Sequence, residues 1–274
     1  MLRPAFSISR ALTVALLAGL LASQACLAED DKDPPTYSTP VKDEGVSVGP
    51  AVSDADPGYA GDHHQLTVYP WFTYRNGHFF VYGLGTGYEV ATGQRYILSV
   101  MAVPQIQRRS SSDSPQLSGL KYRPWSIDGG ANLAVWSNFG GMALGVFHDV
   151  LDRNNGMTVR FGYFLPIPVG GGEISPSIGV TWENSNLTNY YYGVDPSEAR
   201  PGRPAYSPAS AANPTAQLKY EHPFGDHWRF SAELSYMRFG SAIRSSPIVD
   251  EGSTRSIQVT LLYSFGQSSS STGN

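Results

Sequence analysis

The stretch that decides the fold lies near the C-terminus and reads Thr254-Arg-Ser-Ile-Gln-Val-Thr-Leu-Leu-Tyr-Ser-Phe265. From Ile257 to Phe265 apolar and polar side chains alternate, and Leu262 is the only apolar residue on the polar side. Because successive side chains of a strand point to opposite faces, this pattern predicts a strand with one apolar face and one polar face.

Similar alternating runs recur along the chain and are separated by turn signals. The clearest turn is Arg75-Asn-Gly77, because an Asn-Gly pair accepts the positive φ angles of a type I′ hairpin. Long polar or loop-like segments lie at about 108–119, 184–213 and 240–253. No segment with helical periodicity follows the first 28 residues, so we predict strands throughout.

The N-terminus has the features of a secretory signal peptide. Arg3 and Arg10 supply positive charge, an apolar run follows at Ala11–Ala22, and Cys26-Leu-Ala28 fits a cleavage site. We predict a signal peptide at residues 1–28, which would remove the only cysteine of the chain. The next segment, residues 29–44, is acidic and rich in proline, and we expect a solvated lead-in there.

The charge balance argues against a nucleic-acid partner. The chain has 19 Lys and Arg against 23 Asp and Glu, a net charge of −4, and no basic run. Removing the signal peptide would remove two arginines and no acidic residue, which makes the remaining chain more acidic. Nucleic-acid binding relies on basic side chains that neutralise phosphates, so we expect no such binding.

The alternation fits two architectures, and the aromatic residues favour one of them. In a soluble sandwich the apolar faces form a core, whereas in a membrane barrel they contact lipid. Only 15% of the residues are charged and 12% are aromatic. Several aromatic residues stand near strand ends, where the interface belts of a membrane barrel lie: Trp182, Trp228, Tyr236, Tyr263 and Phe265. We therefore predict an all-β fold, a transmembrane antiparallel β-barrel over residues 45–265 in contact with outer-membrane lipid, with a polar tail at 266–274.

The number of strands follows less directly from the sequence. Ten runs begin at or after Gln65, with Phe80–Tyr88 counted as one, and a run at Val46–Val52 makes eleven. A barrel with both termini on one side of the membrane needs an even number. Either the first run lies outside the barrel or a further strand lies between Ala91 and Ser126, so we predict 10–12 strands, with twelve favoured.

Several short motifs carry a family resemblance that covers about residues 45–265. The most specific is the block Tyr191-Tyr-Gly-Val-Asp-Pro-Ser-Glu-Ala199, which is followed by RPAY at Arg203–Tyr206 and SPIVD at Ser246–Asp250. Together with Val46–Pro50, Pro57–Gly61 and Tyr74–Gly77, it resembles the MipA/OmpV family of outer-membrane proteins.

The resemblance implies a location and a role. It implies the outer membrane of a Gram-negative bacterium and a scaffold that joins a murein lytic transglycosylase to a penicillin-binding protein. Other family members imply an alternative, a surface-exposed adhesin or antigen. The polar faces suggest a further alternative, a narrow pore or channel for small solutes.

Two groups of residues are candidates for function. Charges of both signs occur on the polar faces, which would line the lumen of a barrel. They could select among solutes, or they could form internal ion pairs that fill a narrow lumen. These candidate lumen charges are Arg160, Glu183, Lys219, Glu221, Arg229 and Glu233. The loop at 184–213 is rich in Tyr and Arg, which are frequent at binding hot spots. It could recognise a partner, or it could instead pack on itself over the barrel mouth. The candidate recognition residues are Tyr190, Tyr191, Tyr192, Arg200, Arg203 and Tyr206.

The chain lacks the common catalytic motifs. There is no G-x-S-x-G, H-E-x-x-H or phosphate-binding loop sequence. Asp62-His63-His64 could ligate a metal, but neighbouring strand residues point to opposite faces, so we expect an ordinary polar loop. His148-Asp149 could form a proteolytic pair, but the second carboxylate set is not evident. We therefore expect no catalytic, cofactor-binding or metal-binding residue, and no enzyme.

Overall fold

The computed structural model describes residues 44–265, which contain thirteen strands. The predicted signal peptide, the lead-in apart from Glu44, and the tail at 266–274 lie outside the described residues. The strands are β1 (Gly45–Asp56), β2 (Gln65–Asn76), β3 (Phe79–Tyr82), β4 (Gly85–Gly93), β5 (Tyr96–Gln105), β6 (Ser126–Ser137), β7 (Gly140–Asp149), β8 (Met157–Phe164), β9 (Ile167–Val169), β10 (Gly172–Glu183), β11 (Ala211–Phe224), β12 (Trp228–Arg238) and β13 (Ser253–Ser264).

The strands close into an antiparallel barrel. Apart from β8 and β9, which do not pair with each other, each strand pairs with its neighbours in chain order, and β13 pairs with β1, for example Val52 opposite Val259. Strands β8 and β9 both pair with the same edge of β10 and form one wall position, interrupted at Pro166. The barrel therefore has twelve wall positions, and the predicted transmembrane β-barrel fold of 10–12 strands is confirmed.

The twelfth strand is not where the sequence analysis placed it. Between Ala91 and Ser126 the described chain contains only the end of β4 and the strand β5, so no extra strand lies there. Instead, the run at Phe80–Tyr88 divides into two strands, β3 and β4. Gly83 adopts a φ of +60° in the tight turn between them, a conformation that favours glycine. The first run also belongs to the barrel, because β1 pairs with both β2 and β13.

The two faces of the wall differ as the alternation predicts. On β13 the side chain of Ile257 is 46% exposed on the outer face, whereas Thr260 is buried on the inner face. Leu262, the apolar exception, is buried inside, opposite Arg229. A soluble protein rarely leaves so continuous an apolar surface open to water, whereas lipid contact stabilises it.

The two ends of the barrel have connections of different lengths. At one end, the short-turn end, lie the turns 77–78, 94–95, 138–139, 170–171 and 225–227 together with Gly45 and Ser264. At the other, the long-loop end, lie the connections 57–64, 106–125, 150–156, 184–210 and 239–252. The turn 83–84 points toward the same end but lies partway up the wall, beside Phe72 of β2, because β3 is only four residues long.

The long-loop end also contains helices, which the sequence analysis did not predict. Helix α1 spans Ser185–Tyr192 and helix α2 spans Ser241–Arg244, with 3₁₀ helices at Pro115–Leu117 and Pro196–Glu198. The Asn184 side chain caps α1 by accepting a hydrogen bond from the Leu187 amide. Within residues 44–265 no helix is long and apolar enough to cross a membrane.

Candidate functional site

The long connections fold together into a compact lid over the long-loop end of the barrel. We call this lid the cap, and it comprises residues 57–64, 106–125, 184–210 and 239–252. Its apolar core is formed by residues that are distant in sequence, together with Ala211 at the start of β11: Tyr59, Leu117, Leu120, Leu187, Tyr191, Tyr192, Val194, Ala211, Phe239, Ile243 and Ile248. This cluster is the hydrophobic core of the described chain, and it lies above the barrel rather than inside it.

A buried arginine holds the cap core together. Arg109 is fully buried, and its Nη1 donates to the carbonyls of Tyr191 and Gly193 at 3.0 and 2.8 Å. Its Nη2 lies 3.8 Å from the carboxylate of Glu198. Burial lowers the pKa of Arg109, because the charged form loses hydration. A buried cation of this kind depends on its partners, so the cap geometry is fixed around it.

Glu198 is the anionic partner within the cap. Its carboxylate accepts hydrogen bonds from the backbone amides of Lys121 at 2.6 Å and Asp195 at 2.9 Å. Burial alone would raise its pKa, but these two hydrogen bonds and the Arg109 charge outweigh that effect and lower the pKa. Glu198 therefore links two segments of the cap, 106–125 and 184–210, as a carboxylate.

The predicted recognition residues lie within this cap. Tyr191 and Tyr192 are buried in the core, and burial raises the pKa of both hydroxyls. Arg203 is also buried, with Nη1 donating to the Ser118 carbonyl at 2.9 Å and Nη2 donating to the Glu198 carbonyl at 2.8 Å. These three side chains brace the cap from inside.

The other three predicted recognition residues are more accessible. Tyr190 is half-buried beneath the guanidinium of Arg123, and the half-buried Tyr206 donates its hydroxyl to the Ala242 carbonyl at 2.7 Å. Arg200 is exposed, and its Nη2 donates to the Gln116 carbonyl at 3.0 Å. Recognition of a partner by this loop stays a prediction, and Arg200 is its most accessible side chain.

Beneath the cap, a cavity of about 780 Å³ occupies the lumen, and its lining combines apolar side chains with polar and charged ones. Among the predicted lumen charges, five line this cavity: Arg160, Glu183, Lys219, Glu221 and Glu233. Arg229 follows the same inner face of β12 as Glu233, nearer the short-turn end. We call this space the lumen cavity.

Lys219 and Arg160 show how these charges are accommodated in the lumen. Lys219 lies 3.1 Å from Glu221 and stands opposite Glu233 on the neighbouring strand. Arg160 packs over the ring of Phe147, with 5.1 Å between the guanidinium carbon and the ring centre. Lys219 also donates to the Tyr82 hydroxyl at 3.0 Å, which connects β11 to β3 across the lumen. The charges thus serve partly as internal bracing, and a role in selectivity stays a prediction.

The two sequence positions considered for catalysis, His148 and Asp149, are not brought together by the structure. His148 is exposed and Asp149 buried, on opposite faces of β7, so they form no pair. The Asp149 carboxylate accepts hydrogen bonds from amides of the 150–156 loop, including those of Arg153 and Asn154 at 2.6 Å. This carboxylate organises a turn.

One group of side chains has the composition of a metal site. Potential ligand atoms of Asp56, His63 and Glu251 lie within 4.8 Å of one another at the base of the cap. Both oxygens of Asp56 already have partners, since one accepts from the Gly58 amide at 2.9 Å and the other from Arg255 at 3.2 Å. These contacts account for the buried Asp56 without an ion.

Arg109 and Glu198 were missed by the sequence analysis. The signal available was the Asp195-Pro-Ser-Glu198 spacing, which fits a capping box, and the structure forms that box. Arg109 has no comparable local signal, because its partners are far away along the chain.

Comparison with known proteins gives one family and several relatives. The family described as "MltA-interacting protein MipA" matches residues 46–265. The MltA-interacting protein of Escherichia coli (strain K12) is 28% identical over 222 residues, which cover 80% of this chain and 90% of that protein. Outer membrane protein OmpV of Vibrio cholerae serotype O1 is 30% identical over 149 residues, or 54% of this chain and 58% of that protein.

Among solved structures, similarity is lower. A bacterial polysaccharide outer membrane secretin has a TM-score of 0.43 and 11% sequence identity, and the match covers 81% of this chain and 99% of that one.

Proposed function

Since the chain belongs to the MltA-interacting protein MipA family and is an outer-membrane β-barrel, we propose that it is a scaffold for murein enzymes. In this proposal its periplasmic surface docks a murein lytic transglycosylase and, through that enzyme or beside it, a penicillin-binding protein. The barrel acts through its surface and performs no chemistry.

The observation that most supports a surface role is the packed cap. Its core residues, such as Tyr59, Tyr191 and Ile248, are at most 1% exposed. A lid with a buried apolar core resembles a folded domain more than a mobile loop, so it obstructs the mouth above the lumen cavity. The Lys219–Tyr82 hydrogen bond crosses the lumen below. Both features favour a barrel that holds partners over one that passes solutes freely.

The docking surface that fits this proposal is the short-turn end. Short turns and chain termini of outer-membrane barrels face the periplasm, where murein enzymes work. Phe139 projects from the turn at 138–139 and is 71% exposed. A second aromatic group surrounds the seam of the barrel, with stacked or edge-to-face contacts through Phe224, Trp228, Tyr263 and Phe265. Exposed aromatic residues are frequent anchors of protein interfaces.

A capture experiment with purified components tests the proposal. The full chain is immobilised in nanodiscs and exposed to a purified murein lytic transglycosylase, with and without a penicillin-binding protein. We expect the enzyme to be retained, and Phe139→Ser to weaken its retention by about tenfold, as for loss of one interface anchor. Arg200→Ala, which alters an exposed residue of the cap, is the matched control at the opposite end and should leave retention unchanged.

The result that contradicts the scaffold is equally specific. Absence of retention by the wild-type chain would remove the proposal, and retention that depends on Arg200 but not on Phe139 would place the docking surface at the cap.

The lumen cavity favours a second candidate function, a narrow pore. Its volume of about 780 Å³ and its charges of both signs could accommodate a small polar solute. Planar-bilayer recordings distinguish the two functions. Discrete conductance steps from the wild-type chain would favour the pore, whereas a silent barrel that still captures the transglycosylase would favour the scaffold.

A further inference from the structure

A gap interrupts the hydrogen-bonded wall beside the short strand β3. Strand β2 pairs with β3 only over Thr73–Asn76, and β5 pairs with β4 only as far as Ala102. Within the described chain β2 and β5 do not pair with each other. Residues 65–71 of β2 and 103–105 of β5 therefore flank an opening above the turn at 83–84. We call this opening the notch.

The notch lies within the apolar outer surface. Leu66 and Val68 beside it are 71% and 67% exposed on the outer surface. Leu84 and Ile106, at the lower and far sides, are 53% and 68% exposed. A sheet edge left open to hydrocarbon is costly because its amides and carbonyls have no partners there. The notch is therefore a break in the wall, and it is the space that this break leaves, not the unpaired backbone groups, that suits an apolar ligand.

A pocket fills the depth of the notch. It has a volume of about 250 Å³, and most of its lining is apolar: Trp71, Leu84, Met101, Val103, Pro104 and Ile106. Phe80, Tyr82 and Met101 line both this pocket and the lumen cavity. These three side chains therefore form part of the wall between the apolar pocket at the membrane and the lumen cavity with its charged groups.

Polar groups lie at the inner end of the notch pocket. The Tyr69 hydroxyl donates to the Gln258 side chain at 2.7 Å, and both residues line the pocket. On the other side of the shared wall, the Tyr82 hydroxyl is held by Lys219. The path from outside to inside thus runs from hydrocarbon, through apolar side chains, to hydroxyl, amide and ammonium groups.

We propose that the notch is a lateral portal which binds the hydrocarbon chain of a single-chain amphiphile and directs its polar head into the lumen cavity. The apolar pocket matches the chain, and the adjoining polar groups match the head. Ligand pockets for compact molecules usually exceed about 300 Å³, so a smaller pocket fits one chain rather than the two chains of a phospholipid. This function is independent of the scaffold role.

The chain carries its own reporter of the site. Trp71 lines the notch pocket, and replacing the other four tryptophans by Phe leaves a single fluorophore there. A variant that keeps only Trp182, on the outer face of β10 at the far side of the barrel, is the matched reporter of ordinary membrane contact. The probe is a brominated single-chain fatty acid, added to each full-length variant in nanodiscs, because bromine quenches tryptophan on contact.

We expect quenching of Trp71 to saturate and to be reversed by the unbrominated fatty acid. Quenching of Trp182 should instead rise in proportion to the probe in the bilayer. In the Trp71-only background, Val103→Phe fills the pocket and should weaken the saturable quenching by about tenfold. Val100→Phe, on the lipid-facing side of the same strand and 48% exposed, should leave it unchanged.

Folding of each variant is checked by its heat-dependent migration in detergent gels. If Val103→Phe does not fold, Gly85→Leu is the second filling variant, because a side chain there is directed at Val103, 3.3 Å from its Cγ1. Unsaturable quenching of Trp71 that equals that of Trp182 would overturn the portal. Saturable quenching by a brominated phospholipid, without competition by the fatty acid, would also overturn it, because the bilayer lipid itself would then occupy the notch.

Discussion

The ammonium group of Lys219 donates a hydrogen bond to the hydroxyl of Tyr82 across the barrel lumen, with 3.0 Å between the two atoms. Their strands, β11 and β3, are five wall positions apart in a barrel of twelve. Lys219 also pairs with Glu221 at 3.1 Å on its own strand. The Lys219 side chain therefore compensates the charge of Glu221 and, through its contact with Tyr82, narrows the lumen.

Replacing Tyr82 separates these two effects. Tyr82→Phe retains the ring but loses the hydroxyl, so we expect a loss of about 1 kcal/mol in the free energy of unfolding and no new conductance. Tyr82→Ala also removes the ring, so we expect its conductance in planar bilayers to be higher than that of the wild-type chain. If both variants conduct as the wild-type chain does, the cap alone controls passage through the lumen.

The orientation of the wall can be tested with two adjacent residues of β12. Leu234 is 51% exposed on the outer face, whereas Ser235 lines the lumen cavity. A charge facing lipid near the middle of the membrane costs about 2–4 kcal/mol, so Leu234→Arg should lower the free energy of unfolding in lipid by that amount. Ser235→Arg meets water and polar groups and should cost much less. Equal effects would contradict lipid contact at Leu234.

The sequence predicted the barrel wall well because its alternation is a local property. The pattern of β13, with Ile257 outside and Thr260 inside, reappears in the structure residue by residue. The alternation failed at Phe80–Tyr88, where the turn at 83–84 reverses the chain. Phe80 is buried inside and Tyr88 is exposed outside, although both have even numbers. A two-residue turn adds no interruption to the hydrophobic pattern, so the pattern could not reveal it.

The cap could not be predicted in the same way. Its core joins Tyr59, Leu117, Tyr191 and Ile248, which lie on four connections separated by up to most of the chain. No periodicity relates these residues, because each loop contributes only a few of them. Local signals existed only at segment ends, such as Asn184, which caps α1. The choice between a recognition loop and a self-packed loop for Tyr191 depends on such long-range contacts.

The buried Arg109 should control the stability of the cap. Arg109→Met removes the charge and the hydrogen bonds to the Tyr191 and Gly193 carbonyls, and it leaves the Glu198 carboxylate without its cation. Breaking a buried pair costs about 3–5 kcal/mol, so we expect faster proteolysis of the cap at the cell surface. Arg200→Ala is the control because Arg200 is exposed. Equal proteolysis of the two variants would show that Arg109 is dispensable.

The cap should also lose stability in acid through Glu198. The pKa of Glu198 is lowered below its ordinary value of 4.5, chiefly by the Lys121 and Asp195 amides and despite burial. A carboxyl group with a lowered folded pKa stabilises the fold above its unfolded pKa, and this contribution is lost as the pH falls through the folded pKa. We therefore expect the contribution to be complete at neutral pH and to decline below about pH 4.5.

A matched variant isolates this contribution from those of other acidic groups. Glu198→Gln should melt at a lower temperature than the wild-type chain at pH 7, and the difference between the two should shrink as the pH is lowered toward 3. Melting temperatures in detergent, recorded for both chains across this range, measure the effect. A difference that stays constant with pH would mean that the Glu198 charge does not stabilise the cap.

The seam between the first and last strands, β1 and β13, should be the part of the wall that tolerates added side-chain volume least. Gly49 on β1 lies so close to β13 that a Cβ atom at this position would overlap the Leu261 carbonyl oxygen. Gly49→Ala must displace one strand of the pair that closes the barrel, and overpacking of this kind costs about 1–3 kcal/mol. We expect a lower folded fraction after refolding in detergent, measured by heat-dependent gel migration.

Gly162→Ala is the matched control for this seam. A Cβ atom at Gly162, on the inner face of β8, would lie 3.6 Å from the Ile178 carbonyl oxygen, which is ordinary contact. Since alanine restricts the unfolded chain more than glycine does, this variant should be neutral or more stable by up to about 1 kcal/mol. If Gly49→Ala refolds as completely as Gly162→Ala, strands β1 and β13 can separate slightly without loss of closure, and the close approach at Gly49 is not required for the barrel to form.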